Sequence, residues 1–469
     1  MKSAADYAAS RRKENLQHLV EFLRIPSVST DPQQRSAIRQ AAEWLVTRLR
    51  EIGMTRAEAI PTVRHPIVYG EWLGAGADAP TLLVYGHYDV QPTDPDDEWN
   101  SPPFEPTVRD GHLYARGVSD DKGQLYTHLA AAEAFFRAEG QPPVNLKFLI
   151  EGEEEIGSPN LGTFVQQHDA LLTCDAAVIS DTEMLNERTP AIVYGVRGMA
   201  YMEVEIRGPK TDLHSGSYGG VAHNPLQVAV EMLAALHDGQ GRVAIPGFYD
   251  RVRPLTESER AELARLPFNE ERFLRDEVGA PALWTGEAGY SVLERIGARP
   301  TLELHGIRGG FTGEGQKTVI PGRVVAKVSM RLVADQDAFE IARLFERRIR
   351  ELAPPTVTVE VRPLSLGNPA IIPQDSPAMQ AAVRAYRRGF GAEPVFLRAG
   401  GSLPVVTILN KALGVPVVMM GFGLPDDNLH APNERLRVEN FYRGIETAVH
   451  FMNELAQEAV WSARRQEGT

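Results

Sequence analysis

The residues able to do chemistry cluster where short apolar runs end. His87 and Asp89 follow the run 81–85, Glu153, Glu154 and Glu155 follow 145–150, Asp181 follows 176–180, and His430 lies in the loop after 415–420. Imidazoles and carboxylates bind divalent cations and carry protons. Residues two apart on an extended chain face the same way. His87 could therefore bind a metal while Asp89 holds its ring from behind. Three adjacent carboxylates after a buried strand are costly unless a cation or water compensates them; a solvated charge run is the alternative. Asp120 and Asp121 precede a helical pattern, where they either cap backbone N–H groups or serve as ligands. His214, in the glycine-rich segment 212–220, reads on its own as an exposed loop histidine.

These groups need a scaffold that brings them together. The patterning predicts helices over 7–23 and 38–52, a strand over 81–85, a helix over 123–138, strands over 145–150 and 176–180, and a helical turn near 161–167. Strands alternating with helices imply a mainly parallel sheet covered on both faces, an α/β fold. In such sheets ligands bind beyond the carboxyl ends of the strands, where these groups would converge. The rhythm changes after Gly195. A strand over 201–207, a helix over 224–237, strands over 301–307 and 324–333, a helix over 335–352 and a strand over 356–362 spell β-α-β-β-α-β. That is a ferredoxin-like unit, interrupted by a proline-containing insertion over 238–299. The first rhythm returns with a helix over 376–390, a strand over 415–420 and a helix over 438–460. The chain thus divides into one domain over 1–196 and 369–469, with a second domain, 197–368, inserted in it.

Composition narrows the partners. The 469 residues are 43% apolar and 24% charged, which is globular. A single cysteine, Cys174, excludes a disulfide scaffold, and no apolar run is long enough for a membrane span. One cysteine and no visible leader lead us to expect a reducing, cytoplasmic setting. The net charge of −13 argues against nucleic acid.

Taken together the segments are far more specific than their parts. Segments 85–92, 99–106, 117–123, 154–158, 179–181, 193–198, 212–220, 318–321 and 400–402, with His430, resemble the dinuclear zinc exopeptidase family that includes carnosinase and the cytosolic nonspecific dipeptidase. They run in family order over nearly the whole chain. The resemblance implies two divalent metal ions per chain, zinc by expectation, with manganese or cobalt also suited to such ligands. His87, Asp120 and Asp181 would hold one; Asp120, Glu155 and His430 would hold the other, with Asp120 bridging. Glu154 would be the general base on a water between the metals, with Asp89 in a supporting catalytic place. His214 would reach the active site of a second subunit, so a homodimer through the inserted lid domain is expected. Arg331, Gly401 and Ser402 would receive the carboxylate of a small peptide substrate, with Asn224 and Thr318 further binding residues. Dipeptide hydrolysis is the expected activity. Family dipeptidases often carry a glutamate just before Gly-Gly-Ser, where it meets the free amino group; here it is Ala399. That keeps an N-acyl amino acid amidohydrolase or carboxypeptidase of the same family as the alternative. A non-catalytic binding protein on this fold is a remote one, opposed by the presence of all five ligands and Glu154.

Overall fold

A computed structural model describes residues 3–284 and 286–458. The chain forms two compact units. One takes in the chain up to Tyr194, Ile372–Leu397 and the chain from Ile408; the other is Gly195–Ile371 with Arg398–Thr407. The last segment corrects the sequence division, which put it with the first domain. It joins the inserted unit through close backbone contacts. Arg197 N donates to Gly401 O at 3.0 Å, and a Cβ on Gly297 would stand 2.5 Å from Arg398 O. Contacts between positions so far apart in sequence leave no local signature.

In the first unit the strands lie in the order Arg56–Ile60, Ile67–Trp72, Asn145–Glu151, Thr81–His87, Ala176–Ile179, Val417–Met420 and Ala191–Val196. The middle four are mutually parallel, and antiparallel strands flank them. The parallel strands are apolar on both faces because helices cover both; Leu82 through His87 are buried without a break. Register decides what happens at the carboxyl edge. His87 pairs with Glu151, Tyr85 with Ile179, and Ile179 with Met419. The segments that follow these strands therefore start from one level of the sheet.

The helix Lys122–Ala138 is buried along most of its length. Its approach depends on small residues. A side chain at Gly86 would meet Asp121 Oδ2 and Leu125 Cδ1 at 2.8 Å, and one at Gly123 would meet Val118 O at 2.0 Å. Two elements depart from the sequence reading. The helix expected over 7–23 breaks at Arg11 into Ala4–Ser10 and Arg12–Leu23. The final helix, expected to reach Val460, is Val438–Ala456, and Val460 itself lies outside the described residues.

The second unit has the expected β-α-β-β-α-β order. Its sheet runs Thr301–Arg308, Arg323–Leu332, Gly198–Arg207, Thr358–Gly367, with every neighbour antiparallel. Val324, Ala326, Val328 and Met330 pack on one face among Val228, Met232, Phe345 and Ile349 from the two helices Pro225–Ala234 and Ala338–Leu352. Alternate positions, period two, face the other way. The insertion contains the short helices Glu257–Arg265, Glu270–Phe273 and Val292–Ala298. Among the described residues no helix is long and apolar enough to cross a membrane.

Candidate active site

His87, the last residue of its strand, is fully buried. Its Nδ1 lies 3.1 Å from the Asp89 carbonyl oxygen and 3.5 Å from Asp89 Oδ1. With the Nδ1 proton directed to Asp89, Nε2 is the ring nitrogen that would bind a cation in exchange for its proton. It lies 3.0 Å from Asp120 Oδ1 and 3.7 Å from Asp181 Oδ2. On the other side of Asp120, His430 Nε2 lies 2.9 Å from Oδ2 and 3.5 Å from Glu155 Oε2. Asp120 therefore turns one oxygen toward each of two groups. His87, Asp120 and Asp181 form the first; Asp120, Glu155 and His430 form the second. Within each group the ligand atoms lie within 4.8 Å of one another.

The glutamate run divides its labour. Glu153 is structural: it accepts hydrogen bonds from His65 N at 2.7 Å, Asn160 Nδ2 at 2.7 Å and Thr62 Oγ1 at 3.1 Å. Glu155 belongs to the second group and also accepts from Gln91 Nε2 at 2.7 Å. Glu154 belongs to neither group. The Asp89 carboxylate accepts from the backbone N–H of both Glu154 and Glu155, at 3.2 and 3.1 Å. One buried aspartate thus orients His87 and fixes the turn that carries both glutamates. The solvated-run alternative is overturned for this triplet.

The Asp120 loop is held by a residue to which sequence reasoning gave no role. Glu434, fully buried, accepts from Gly117 N, Ser119 N and Asp120 N at 2.8, 2.9 and 3.1 Å and pairs with Arg116 at 2.9 Å. It lies four residues after His430, so one carboxylate ties together the two loops that supply the second group. Its sequence signal was only its place beside His430. The helix-cap alternative for Asp120 and Asp121 is also overturned. Asp121 occupies the cap position of Lys122–Ala138 without a side-chain cap bond. Its Oδ2 instead accepts from His87 N at 3.2 Å.

The electrostatics are those of a site built for cations. Burial pushes the Glu154 and Glu155 carboxyls well above the ordinary glutamate range, reinforced by Asp181 and Asp120 respectively. Burial and Asp120 push Asp181 up to about 6. At Asp120 burial works in the same sense, but hydrogen bonds with His430 and His87 outweigh it and lower the carboxyl. Burial disfavours a charged His87, yet Asp120 and Asp89 carry it well above its usual value. Among the described residues no lysine or arginine forms an ion pair with Asp120, Glu154, Glu155 or Asp181. Packed carboxylates of this kind need positive charge among them. The donor set, imidazole nitrogen and carboxylate oxygen, suits divalent ions. Cys174 is no competitor, since burial pushes its thiol up to about 12.

The remaining candidates belong to the second unit. His214 is exposed, and its Nδ1 accepts from Gly216 N at 2.9 Å. It ends the strand Leu213–His214, which pairs with Val319–Ile320, and Ser215 N donates to Thr318 O at 3.1 Å, so Thr318 lies beside it. Arg331 Nη1 donates to Ser402 Oγ at 2.8 Å, and Gly401 is held through its carbonyl by Arg197. Asn224 caps the helix Pro225–Ala234, its Oδ1 accepting from Leu226 N at 2.9 Å.

The family model for peptidase family M20/M25/M40 matches residues 83–454. Human Beta-Ala-His dipeptidase is 34% identical over 442 residues, 93% of this chain and 85% of that protein. The solved structure of the di-peptidase Dug1p from Saccharomyces cerevisiae superposes with a TM-score of 0.85 at 30% identity, covering 97% of this chain and 98% of that one. That of the metallo-carboxypeptidase Sso-CP2 from Sulfolobus solfataricus also gives 0.85, at 32% identity and 95% and 99% coverage. With two clustered ligand groups and a match across most of its length, the chain belongs to peptidase family M20/M25/M40. It is a peptidase that uses divalent metal.

Proposed function

We propose that this peptidase hydrolyses dipeptides with two divalent ions per chain, zinc by preference. The observation that carries the reading is the splitting of Asp120, one oxygen to each ligand group. The similarity to a Beta-Ala-His dipeptidase and to a di-peptidase supports the substrate class. Bound in the two groups, the ions would polarise the scissile carbonyl and acidify water. Glu154, outside both groups and raised by burial, would accept a proton from the attacking water and pass it to the leaving amine. Asp89 keeps His87 in the tautomer with Nε2 free and holds the Glu154 backbone. Arg331, with Ser402 and the Gly401 backbone, receives the substrate carboxylate. Thr318 completes this side; Asn224, whose Oδ1 already caps the helix Pro225–Ala234, serves the fold.

His214 donates to the developing oxyanion of a second copy's site, which makes the working form a homodimer through the inserted unit. Mixing inactive His214→Ala and Glu154→Gln dimers tests this. Random exchange at 1:1 gives half heterodimers, each with one intact site, so up to about a quarter of the wild-type rate should return. Exchange shown by mass with no activity restored rejects the trans assignment. The activity itself is tested by a hydrolysis screen with added zinc, manganese or cobalt, comparing free dipeptides, tripeptides and N-acyl amino acids. Free dipeptides should be cleaved best. Because Ala399 leaves the amino-group end without a glutamate, preferential cleavage of the N-acyl compounds is the result that rejects the dipeptidase reading.

A further inference from the structure

The open face of the inserted unit's sheet is charged and, over most of its length, internally neutralised. Glu203 pairs with Lys327 at 2.8 Å and with Arg362, and Glu205 pairs with Arg207 and Arg323. At one end this pattern stops. Arg197 and Arg331 line a cavity of about 380 Å³ that lies wholly within the inserted unit. Neither guanidinium has a carboxylate at ion-pair distance among the described residues. Arg331 donates to the Ser402 hydroxyl at 2.8 Å, and Arg197 Nε donates to the Gly400 carbonyl at 2.6 Å. Burial, with Arg331 adding like-charge repulsion, lowers Arg197 to about 10. Two half-buried guanidiniums held only by neutral acceptors are matched to an anion from outside the chain.

The insertion 238–299 adds apolar residues to the cavity. Tyr249, Leu283 and Trp284 line it, and the Trp284 side chain is left 63% exposed. Of the acidic residues on the lining, Glu287 is cancelled by Arg299 through two bonds of 2.7 Å. Glu303 is the other, close enough to act on Arg197, and the lining holds four arginines against the two glutamates, so the cavity keeps a positive balance. A volume at the lower end of the small-molecule range admits one residue rather than a long peptide.

We infer that this cavity binds one amino-acid unit with a free α-carboxylate and a large apolar or aromatic side chain, the carboxylate on Arg197 and Arg331 and the side chain against Trp284. The inference rests on the dipeptidase reading for its place in the reaction, where that unit is the carboxy-terminal residue of the substrate. It adds Arg197 and a side-chain wall to the expected Arg331 anchor.

The test is calorimetric titration of the metal-loaded protein with L-phenylalanine, glycine and L-phenylalaninamide. L-phenylalanine should bind at least about tenfold more tightly than glycine, from burial of the ring, and more tightly than the amide. Trp284→Ala should erase the preference over glycine and Trp284→Phe should keep most of it. Arg197→Gln should erase the preference over the amide and Arg197→Lys should restore it in part. Equal binding of phenylalanine and glycine, or a preference untouched by Trp284→Ala, overturns the side-chain site. A preference over the amide untouched by Arg197→Gln overturns the carboxylate assignment. Dipeptide turnover by the same preparation separates the two readings. Phenylalanine binding without turnover sinks the dipeptidase, and turnover without side-chain preference sinks the cavity.

Discussion

Glu155 and Glu205 are both glutamates at strand-derived positions with little access to water, and the molecule treats them oppositely. Glu205 sits on the open face of the inserted sheet with Arg207 and Arg323 against it. Burial raises its carboxyl, but the two arginines outweigh that and lower it. Glu155 sits at the carboxyl edge of the central sheet with Asp120 and His430 for company, and burial drives its carboxyl up. The first glutamate has arginine counter-charge in the chain; among the described residues the second has no lysine or arginine paired with it. The Arg197–Arg331 pair shows the same omission with the sign reversed. Where a fold leaves buried charge unmatched, the missing charge belongs to a ligand. Here that means cations in one unit and a carboxylate in the other.

The strongest way to break this contrast is at Asp120. Asp120→Ala removes an oxygen from both groups, so metal content should fall at both sites and activity to background. Elemental analysis finding two tightly held ions in this variant contradicts the bridge. Glu154→Gln comes next: it should lose at least about 100-fold in kcat, the size of a general-base contribution, while both ions stay bound. Near-normal turnover in the metal-loaded variant removes Glu154 from that role.

Chelation sharpens the comparison through pH. Without cations the Asp181 carboxyl is raised from 3.8 to about 6 in the folded protein, and Glu154 and Glu155 are raised well above 4.5. A carboxyl raised on folding contributes stability that is present below its unfolded pKa and lost as pH rises through its folded one. The metal-free protein should therefore lose Tm as pH climbs from about 4 past about 6, while the metal-loaded protein should not. The Tm gap between them should be wider at pH 8 than at pH 5, by scanning calorimetry. A gap that narrows with pH means these carboxylates do not oppose one another. The smallest effect is expected at Asn224. Losing its cap should cost about 1 kcal/mol of stability with kcat/KM little changed. A large fall in kcat/KM without a stability change would mark Asn224 as a substrate residue instead.

Much of the architecture was legible in the residues. The apolar runs 81–85, 145–150 and 176–180 became strands because they are short, rich in leucine, isoleucine and valine, and closed by polar residues. The inserted sheet was legible because period-two burial survives over the first seven residues of Gly198–Arg207. The strands Arg56–Ile60, Ile67–Trp72 and Ala191–Val196 went unread. Arg56–Ile60 mixes charge with alanine, and the other two carry a glycine that weakens the pattern. The helix Pro404–Leu413 was missed because the glycine-rich stretch before it reads as loop.

The sequence by itself determined which groups were available and at which ends of which strands they would stand. Local patterning encodes strand length and helix period, and the residue at the end of a run is read directly. What only the tertiary structure decided is which of those groups meet. Parallel register set the level of His87 against Glu151. Glu434 drew the His430 loop onto Asp120 from more than 300 positions away. Glu153 went to holding a loop while its neighbours took the site. Arg197, unremarkable on the chain, became half of a cationic pair. Such pairings depend on closing long loops and on which buried charges find partners. Those are properties of the packed molecule, and no window of neighbouring residues contains them.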